Sequence, residues 1–338
     1  FLVHVTNTLT AIDNGPVPET TRLRGTGTQL TVGSFNVENL SAVDTPAKFA
    51  ALAQQIVNHM KAPDILALME VQDDNGPVND SVVDASNTYN TLINAIQTAG
   101  GPVYQFRNIN PVDDQDGGQP GGNIRTGFLF NAARLSFVDR PGAGSDTANS
   151  VVNDGGVPRL QFSPGRIDPA NSAFNASRKS LAAEFVFNGH TVFVTTNHFN
   201  SKGGDDPLFG RFQPPLRNSE IQRHQQAAIV SNFVQSILAV NPNANVIVLG
   251  DMNDYPFSPA LGALKGEELV NLIELLPENE RYSYVFQGNS QVLDQILVSH
   301  NITNTMQPEY DIVHVNAEFD TQVSDHDPSV ARFALPSP

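Results

Sequence analysis

Several short apolar runs in this chain stop abruptly at a polar side chain: TVGSF at Asn36, ILALM at Glu70, VFVTTN at His198 and VIVLG at Asp251, with Asn253 two residues on. A run that stays apolar without alternating reads as a strand covered on both faces, because a strand with one wet face would alternate with a period of two. A chain with several such runs must lay sheet between other layers. Helical spacing supplies the cover. Thr45-Pro46 caps a helix with proline at its first position, followed by Phe49, Leu52, Ala53, Ile56, Val57 and Met60. Residues 88–99 read as a second amphipathic helix. Ser219 with Gln222 reads as a capping box opening a third, with Ile221, Ala228, Ile229, Phe233 and Ile237 as its apolar face. SLAAEFVF and HTVFVTTNHF form a hairpin at Asn188-Gly189, and VLDQILVS and SDHDPSVARF complete the strand series. The expectation is an α/β fold, a layered sandwich of mixed sheets covered by helices.

Length allows one large domain or two smaller ones at 338 residues. Residues 1–29, rich in Thr, Gly and Pro, read as a linker or arm, and residues 30–338 as the domain that carries the chemistry. The stretch from Pro141 to Ala176 reads as a long functional loop rather than a boundary, because the strand pattern resumes in the same style at Leu181. The chain opens at Phe1 rather than Met, which suggests processing. No apolar run approaches the roughly 18 residues of a membrane span.

Composition narrows the chemistry further. With no cysteine, any bound metal must use oxygen and imidazole ligands, which points to hard divalent cations. A net charge of −16 opposes broad electrostatic capture of nucleic acid. The average hides an asymmetry: from Arg107 to Arg223 there are 12 Lys and Arg against 11 Asp and Glu, and elsewhere 7 against 24. An anionic substrate would approach the near-neutral middle.

Strand ends in covered α/β sheets are where side chains distant in sequence meet on rigid supports, so Asn36, Glu70, His198, Asp251 and Asn253 are candidates jointly. Each alone is ordinary turn chemistry. Glu70 follows an apolar run, where an unpaired carboxylate is costly and calls for a cation or an arginine partner. With Asn36 and Asp325 it offers the oxygen ligands Mg²⁺ accepts. His198 and His326, the latter within Ser324-Asp325-His326-Asp327, make a pair suited to phosphoester hydrolysis, and Asp294 is a natural orienter for a histidine. Arg178 and Lys202 are the cations selected for phosphate binding; Arg211, Arg217 and Arg223 read as surface or structural.

Taken in order, FNVEN at 35–39, MEV at 69–71, TNHFNSKGG at 196–204, GDMND at 250–254, LDQILVS at 293–299 and SDHDP at 324–328 resemble the motifs of the endonuclease/exonuclease/phosphatase superfamily, whose fold is DNase I-like. NHFNSKGG, YSYVF at 282–286 and the Pro-rich lead-in resemble most the bacterial secreted nucleases of that superfamily, and the lead-in resembles a linker after an upstream module. The resemblance implies a four-layer α/β sandwich of two mixed sheets flanked by helices, and Mg²⁺-assisted phosphodiester hydrolysis by in-line attack of water, with Mn²⁺ or Ca²⁺ as alternative ions. By motif, Asn36, Glu70 and Asp325 hold the metal. His326, oriented by Asp294, is base or phosphate ligand. His198 assists at the phosphate, Asp251 and Asn253 position nucleophile and phosphate, and Arg178 matches the family's phosphate-contacting arginine. Ser180 stands where the family often has Pro after the Arg-Lys pair, and no Trp-Cys-Asp-Arg segment of the inositol-phosphatase kind is present.

The implied substrate is nucleic acid, DNA or RNA, cut outside the cell with low sequence specificity, with no stable protein partner. Two other readings stay open: the same site acting on phospholipid head groups or small phosphate esters, and a metal-binding module without turnover. Against the lipid reading, no amphipathic membrane helix and no exposed aromatic hairpin is evident, and against sequence-reading DNA recognition, no aromatic platform.

Overall fold

The structure, a computed structural model, describes residue 6 and residues 15–207 and 210–337. In chain order its main elements are β1 (Gln29–Leu40), α1 (Pro46–Gln54), β2 (Ile65–Val71), α2 (Ser86–Thr98), β3 (Gln105–Asn108), β4 (Arg125–Phe130), β5 (Leu181–Phe187), β6 (His190–His198), α3 (Asn218–Val240), β7 (Asn245–Asp251), α4 (Pro259–Lys265), β8 (Asp294–Ser299), β9 (Glu309–Ile312) and β10 (Ser329–Ala334). Thr45 caps α1 as its sequence requires, its side chain accepting from the Lys48 amide, with Pro46 opening the helix.

Among the described residues the long strands form two sheets. One is six-stranded, in the order β9-β10-β1-β2-β4-β3; the other is seven-stranded and runs from Leu269–Asn271 through β8-β7-β6-β5 to Ser136–Phe137, with Gly165–Arg166 also on β5. Each sheet has one parallel pair at its heart, β1 with β2 and β6 with β7, and is otherwise antiparallel. Parallel neighbours end at the same edge of a sheet, so the residues that finish them stand side by side.

The uninterrupted apolar runs follow from burial on both faces. Ile65 and Ala67 of β2 point into the core between the sheets, with Ile247 and Leu249 of β7, while Leu66 and Leu68 meet α1 and α2 through Phe49, Leu52, Tyr89 and Leu92. Val246 and Val248 turn the other way, onto Ala227, Val230 and Val234 of α3 and Leu261 and Leu264 of α4. Helix, sheet, sheet and helix layers therefore stack as four, the α/β sandwich expected from the motifs.

Four local expectations need correction. Ser219 and Gln222 do not form a capping box: α3 begins at Asn218, the Ser219 hydroxyl bonds Asp205 and Arg223, and the Gln222 amide donates to the Ala173 and Asn175 carbonyls. The buried face of α3 includes the expected Phe233 and Ile237 but also Arg223, Gln226, Ala227, Val230 and Val234, with Ile221 62% exposed. The stretch Pro141–Ala176 contains paired strands, Val151–Asp154 with Val157–Leu160. The VLDQILVS strand starts at Asp294, which opens β8, rather than at Val292. As for the lead-in, its first residues lie outside those described apart from residue 6; from residue 15 it lies on the domain, with Leu23 buried and the Glu19 and Thr21 amides donating to the carbonyls of His314 and His59.

Candidate active site

Registry does most of the positioning. His198 closes β6 directly beside Asp251, which closes the parallel β7, and Asp251 faces Asp294 at the start of the antiparallel β8. Three polar residues thus sit in one row across three strands at one sheet edge. Gly250 makes the close approach of β6 and β7 feasible: its φ is +130°, and a Cβ there would lie 2.0 Å from the Asn197 carbonyl oxygen.

The other sheet reaches the same place by a bulge. Pairing of β1 with β2 slips after Asn36, and pairing of β2 with β4 slips after Leu68. Glu38, Asn39 and Glu70 all adopt positive φ, at 48°, 51° and 61°. A bulge re-aims side chains out of the pleat, and left-handed backbone at non-glycine residues is the kind of strain that accumulates at functional sites. Here it aims the Glu70 carboxylate into the cleft, where Oε1 accepts from the Asn36 amide at 3.0 Å and Oε2 from the Asn39 backbone N–H at 3.1 Å.

The two sheets meet at Asp251. Its Oδ2 lies 3.3 Å from Asn36 Nδ2, 3.2 Å from Asn253 Nδ2, 3.5 Å from His198 Nε2 and 3.8 Å from His326 Nε2. His198 Nε2 is also 3.8 Å from Glu70 Oε1. His326 donates from Nδ1 to Asp294 Oδ2 at 2.6 Å, a charge-assisted bond, and its Nε2 is 3.9 Å from Asp325 Oδ1. The structure therefore gathers Asn36, Glu70, His198, Asp251, Asn253, Asp294, Asp325 and His326 into one cluster. The two selected cations border it differently. Arg178 is buried behind the carboxylates, Nη2 donating to the Phe199 carbonyl at 2.6 Å. Lys202 stands at the rim, bonded to the Asn253 carbonyl, 3.6 Å from Asp254 and 4.6 Å from the Tyr255 ring centroid.

Burial and crowding make this a strongly perturbed set of groups. Burial pushes the Glu70 and Asp251 carboxyls above their ordinary range; Asp251 and Asp325 raise Glu70 further, and Asp294 raises Asp251, while His326 pulls both down. Burial, with Arg178 and His326 nearby, drives His198 well below the usual imidazole range, so it is neutral. Burial acts the same way on His326, yet the carboxylates of Asp294, Asp251 and Asp325 outweigh it and hold the ring protonated well above that range.

A divalent cation fits this donor set. Carboxylates outnumber the buried cations, burial and neighbouring carboxylates hold Glu70 and Asp251 high, and clusters of ligand atoms within 4.8 Å of one another form at Glu70, His198 and Asp251 and again at Asp251, Asp294 and His326. Oxygen with one imidazole is the ligand chemistry of Mg²⁺ or Mn²⁺.

Several participants were not selected from the sequence. Ser283 donates to Asp294 Oδ2 at 2.8 Å and so holds the carboxylate that holds His326. Ser324 donates to the Asn36 carbonyl at 2.6 Å, tying the SDHD turn to β1. Glu38 is half-buried and faces Asp325 and Glu70. Arg223, read as surface or structural, is buried, with Nε donating to Asp254 Oδ2 at 2.8 Å and Nη1 to the Asn200 carbonyl at 3.1 Å, bracing both loops beside the site. The residues of FNVEN and YSYVF carried the first and third of these signals. An aromatic platform, expected to be absent, is present: Tyr284 lies against His326 with ring centroids 4.8 Å apart, on the exposed hairpin Tyr284–Phe286 and Asn289–Gln291.

Residues 161–327, the span that supplies His198, Asp251, Asp294 and His326, match the Endonuclease/Exonuclease/phosphatase family. The fold and this cluster define a DNase I-like domain, and the family match with the likeness of fold supports membership of the endonuclease/exonuclease/phosphatase superfamily. Among solved structures it is similar to Danio rerio TDP2 humanized by 14 mutations (18% identity, TM-score 0.55, covering 90% of this chain and 98% of that one). It is also similar to the catalytic domain of human Nocturnin with a bound sulfate (15%, TM-score 0.56, 90% and 94%), and to a Bacteroides vulgatus endonuclease/exonuclease/phosphatase (15%, TM-score 0.53, 91% and 99%). At these identities the likeness is one of fold. Among curated proteins nothing matches the sequence.

Proposed function

We propose that this chain is a divalent-metal-dependent phosphodiesterase, a nuclease that cuts DNA or RNA with low sequence specificity outside the cell. The observation that carries the reading is the convergence of one neutral and one protonated imidazole on Asp251 Oδ2, with the carboxylates of Glu70 and Asp294 close enough to share a ligand cluster with it. Glu70 and Asp325, with Asn36 beside them, would hold the cation, which when bound neutralises phosphate charge and makes phosphorus more electrophilic. Water adds to phosphorus and the bond to the leaving oxygen breaks. The Asp251 carboxylate, raised in basicity, accepts the water's proton. Cationic His326 donates to the phosphate or its leaving oxygen, held in line by Asp294. Neutral His198 offers its ring to the same oxygens, and Lys202 contributes charge at the rim.

A likeness of fold to Danio rerio TDP2 complexed with a single-strand DNA product supports nucleic acid as the substrate class. The secreted-nuclease motif NHFNSKGG supports action outside the cell, which separate assay of the source cells and their medium would test. Supercoiled plasmid, RNA and a phospholipid, each incubated with Mg²⁺ or Mn²⁺ and with chelator, test the substrate. Plasmid nicking or RNA cleavage that chelator stops is expected. His198→Ala and His326→Ala are each expected to lose about 10²–10⁴-fold in kcat while keeping the wild-type circular dichroism spectrum. Full activity in either, or turnover of the phospholipid alone, overturns the reading.

A further inference from the structure

Beside the cluster, aromatic side chains lie in the open. Tyr255 and Phe257, in the turn after β7, stack with ring centroids 5.4 Å apart and planes 18° apart, and Phe257 is 86% exposed. Tyr284 and Phe286 stack with centroids 6.5 Å apart and planes 13° apart, and Phe286 is 51% exposed. The pairs belong to one surface. The Tyr255 hydroxyl donates to Gln291 Oε1 at 3.3 Å, and Gln291 is the cross-strand partner of Tyr284. Each pair also touches the chemistry at its inner end: Tyr284 lies against His326, and Tyr255 lies beneath the ammonium of Lys202.

Water does not favour leaving rings of this size exposed, and nothing in the described fold covers Phe257 or Phe286. Their placement is informative because the chain's charge is unfavourable for the usual alternative. A protein with net charge −16 has little to gain from tracking a long duplex backbone by counterion release. A base face stacks on an aromatic ring whatever its sequence, and it can do so only when it is unpaired or splayed out of its helix. The rings sit on both sides of Gln291, at the border of the phosphate site rather than in a remote patch.

We propose that Tyr255, Phe257, Tyr284 and Phe286 form a stacking surface for unpaired nucleobases flanking the scissile phosphate, so that the preferred substrate is single-stranded or frayed nucleic acid. The proposal deepens the nuclease reading and rests on it for the position of the phosphate. The surface orders the bases and His326 and Lys202 meet the phosphate, with no sequence readout because no base edge is engaged.

The test uses the full chain in chelator, where binding is read without turnover, by fluorescence anisotropy of a labelled oligothymidylate of about twelve nucleotides and of a hairpin duplex of similar length. Phe257→Ala and Phe286→Ala, both at exposed positions, are each expected to weaken oligothymidylate binding by about tenfold and duplex binding by less than about twofold. Phe257→Tyr and Phe286→Tyr should restore it, and binding to oligothymidylate should fall only shallowly with salt. With Mg²⁺ added, KM for the single strand should rise in the alanine variants while kcat holds. Equal weakening for both nucleic acids, or no change in either, overturns the proposal. So does loss of cosedimentation with phosphatidylcholine–phosphatidylglycerol vesicles while oligothymidylate binding is unmoved, which would make the surface a membrane dock. If the chain binds the single strand through these rings yet cuts no nucleic acid with any divalent ion, the nuclease reading fails and the stacking surface stands.

Discussion

Lys202 is a cation at the rim whose charge is tuned toward neutral pH. Burial, with Arg223 beside it, pushes its ammonium down to about 8, against the attraction of Asp254 and Asp251. The charged form is therefore disfavoured in the folded chain. Between about 8 and the ordinary 10.5 the unfolded chain holds this proton and the folded chain does not, so the group adds stability as pH rises through that window. Substrate capture runs in the opposite direction, because the positive charge is present below about 8 and lost above it. KM for an anionic diester is expected to climb as pH passes 8, and Lys202→Arg, which does not deprotonate, to flatten that climb. A KM profile in the arginine variant that matches the wild type would remove Lys202 from phosphate binding.

At the scale of elements, the strand ends decide the site, and Gly250 decides whether β6 and β7 can end together. Gly250→Ala would drive a methyl group into the Asn197 carbonyl and force an L-residue to φ +130°. A cost of about 1–3 kcal/mol in stability is expected, read from thermal melts. Because the strain falls one residue before Asp251, kcat should also drop at temperatures where both proteins are fully folded. Unchanged kcat there would show that the Asp251 position tolerates strand displacement. The helices show where pattern reading loses hold. The face of α3 follows the apolar pattern at Phe233 and Ile237 but departs from it near the site, because Arg223 and Gln226 are buried by polar contacts, to Asp254 in the one case and to Ala173, Ser177 and Asn200 in the other. Hydrophobic periodicity ignores a buried polar residue whose hydrogen bonds are satisfied elsewhere in the chain. The aromatic hairpin was missed for a related reason. YSYVFQGNSQV has the turn signal of Gln287-Gly288, but whether its rings face solvent or core depends on what packs above them.

For the whole molecule, the cation links site and stability. Binding only to the folded chain, it should raise the melting temperature: at about a hundredfold excess over its Kd the gain is about 2.7 kcal/mol, or about 4 °C for a chain of this size. Glu70→Gln is expected to abolish the Mg²⁺ shift. Without Mg²⁺ the variant should melt no lower than the wild type, because the substitution removes a buried carboxylate held among others. A full Mg²⁺ shift in the variant would exclude Glu70 from the site.

The sequence by itself determined the layered α/β class and pointed to the strand-end residues Asn36, Glu70, His198 and Asp251, because unbroken apolar strands demand cover on both faces and each of these stops at a polar residue. It did not contain the meeting of Asn36 with Asp251, the different protonation of His198 and His326, the reach of Glu70 through its bulge, or the exposure of Phe257 and Phe286. Those depend on distances between segments far apart along the chain and on which groups share a desolvated space. Such quantities exist only once the two sheets have closed on each other.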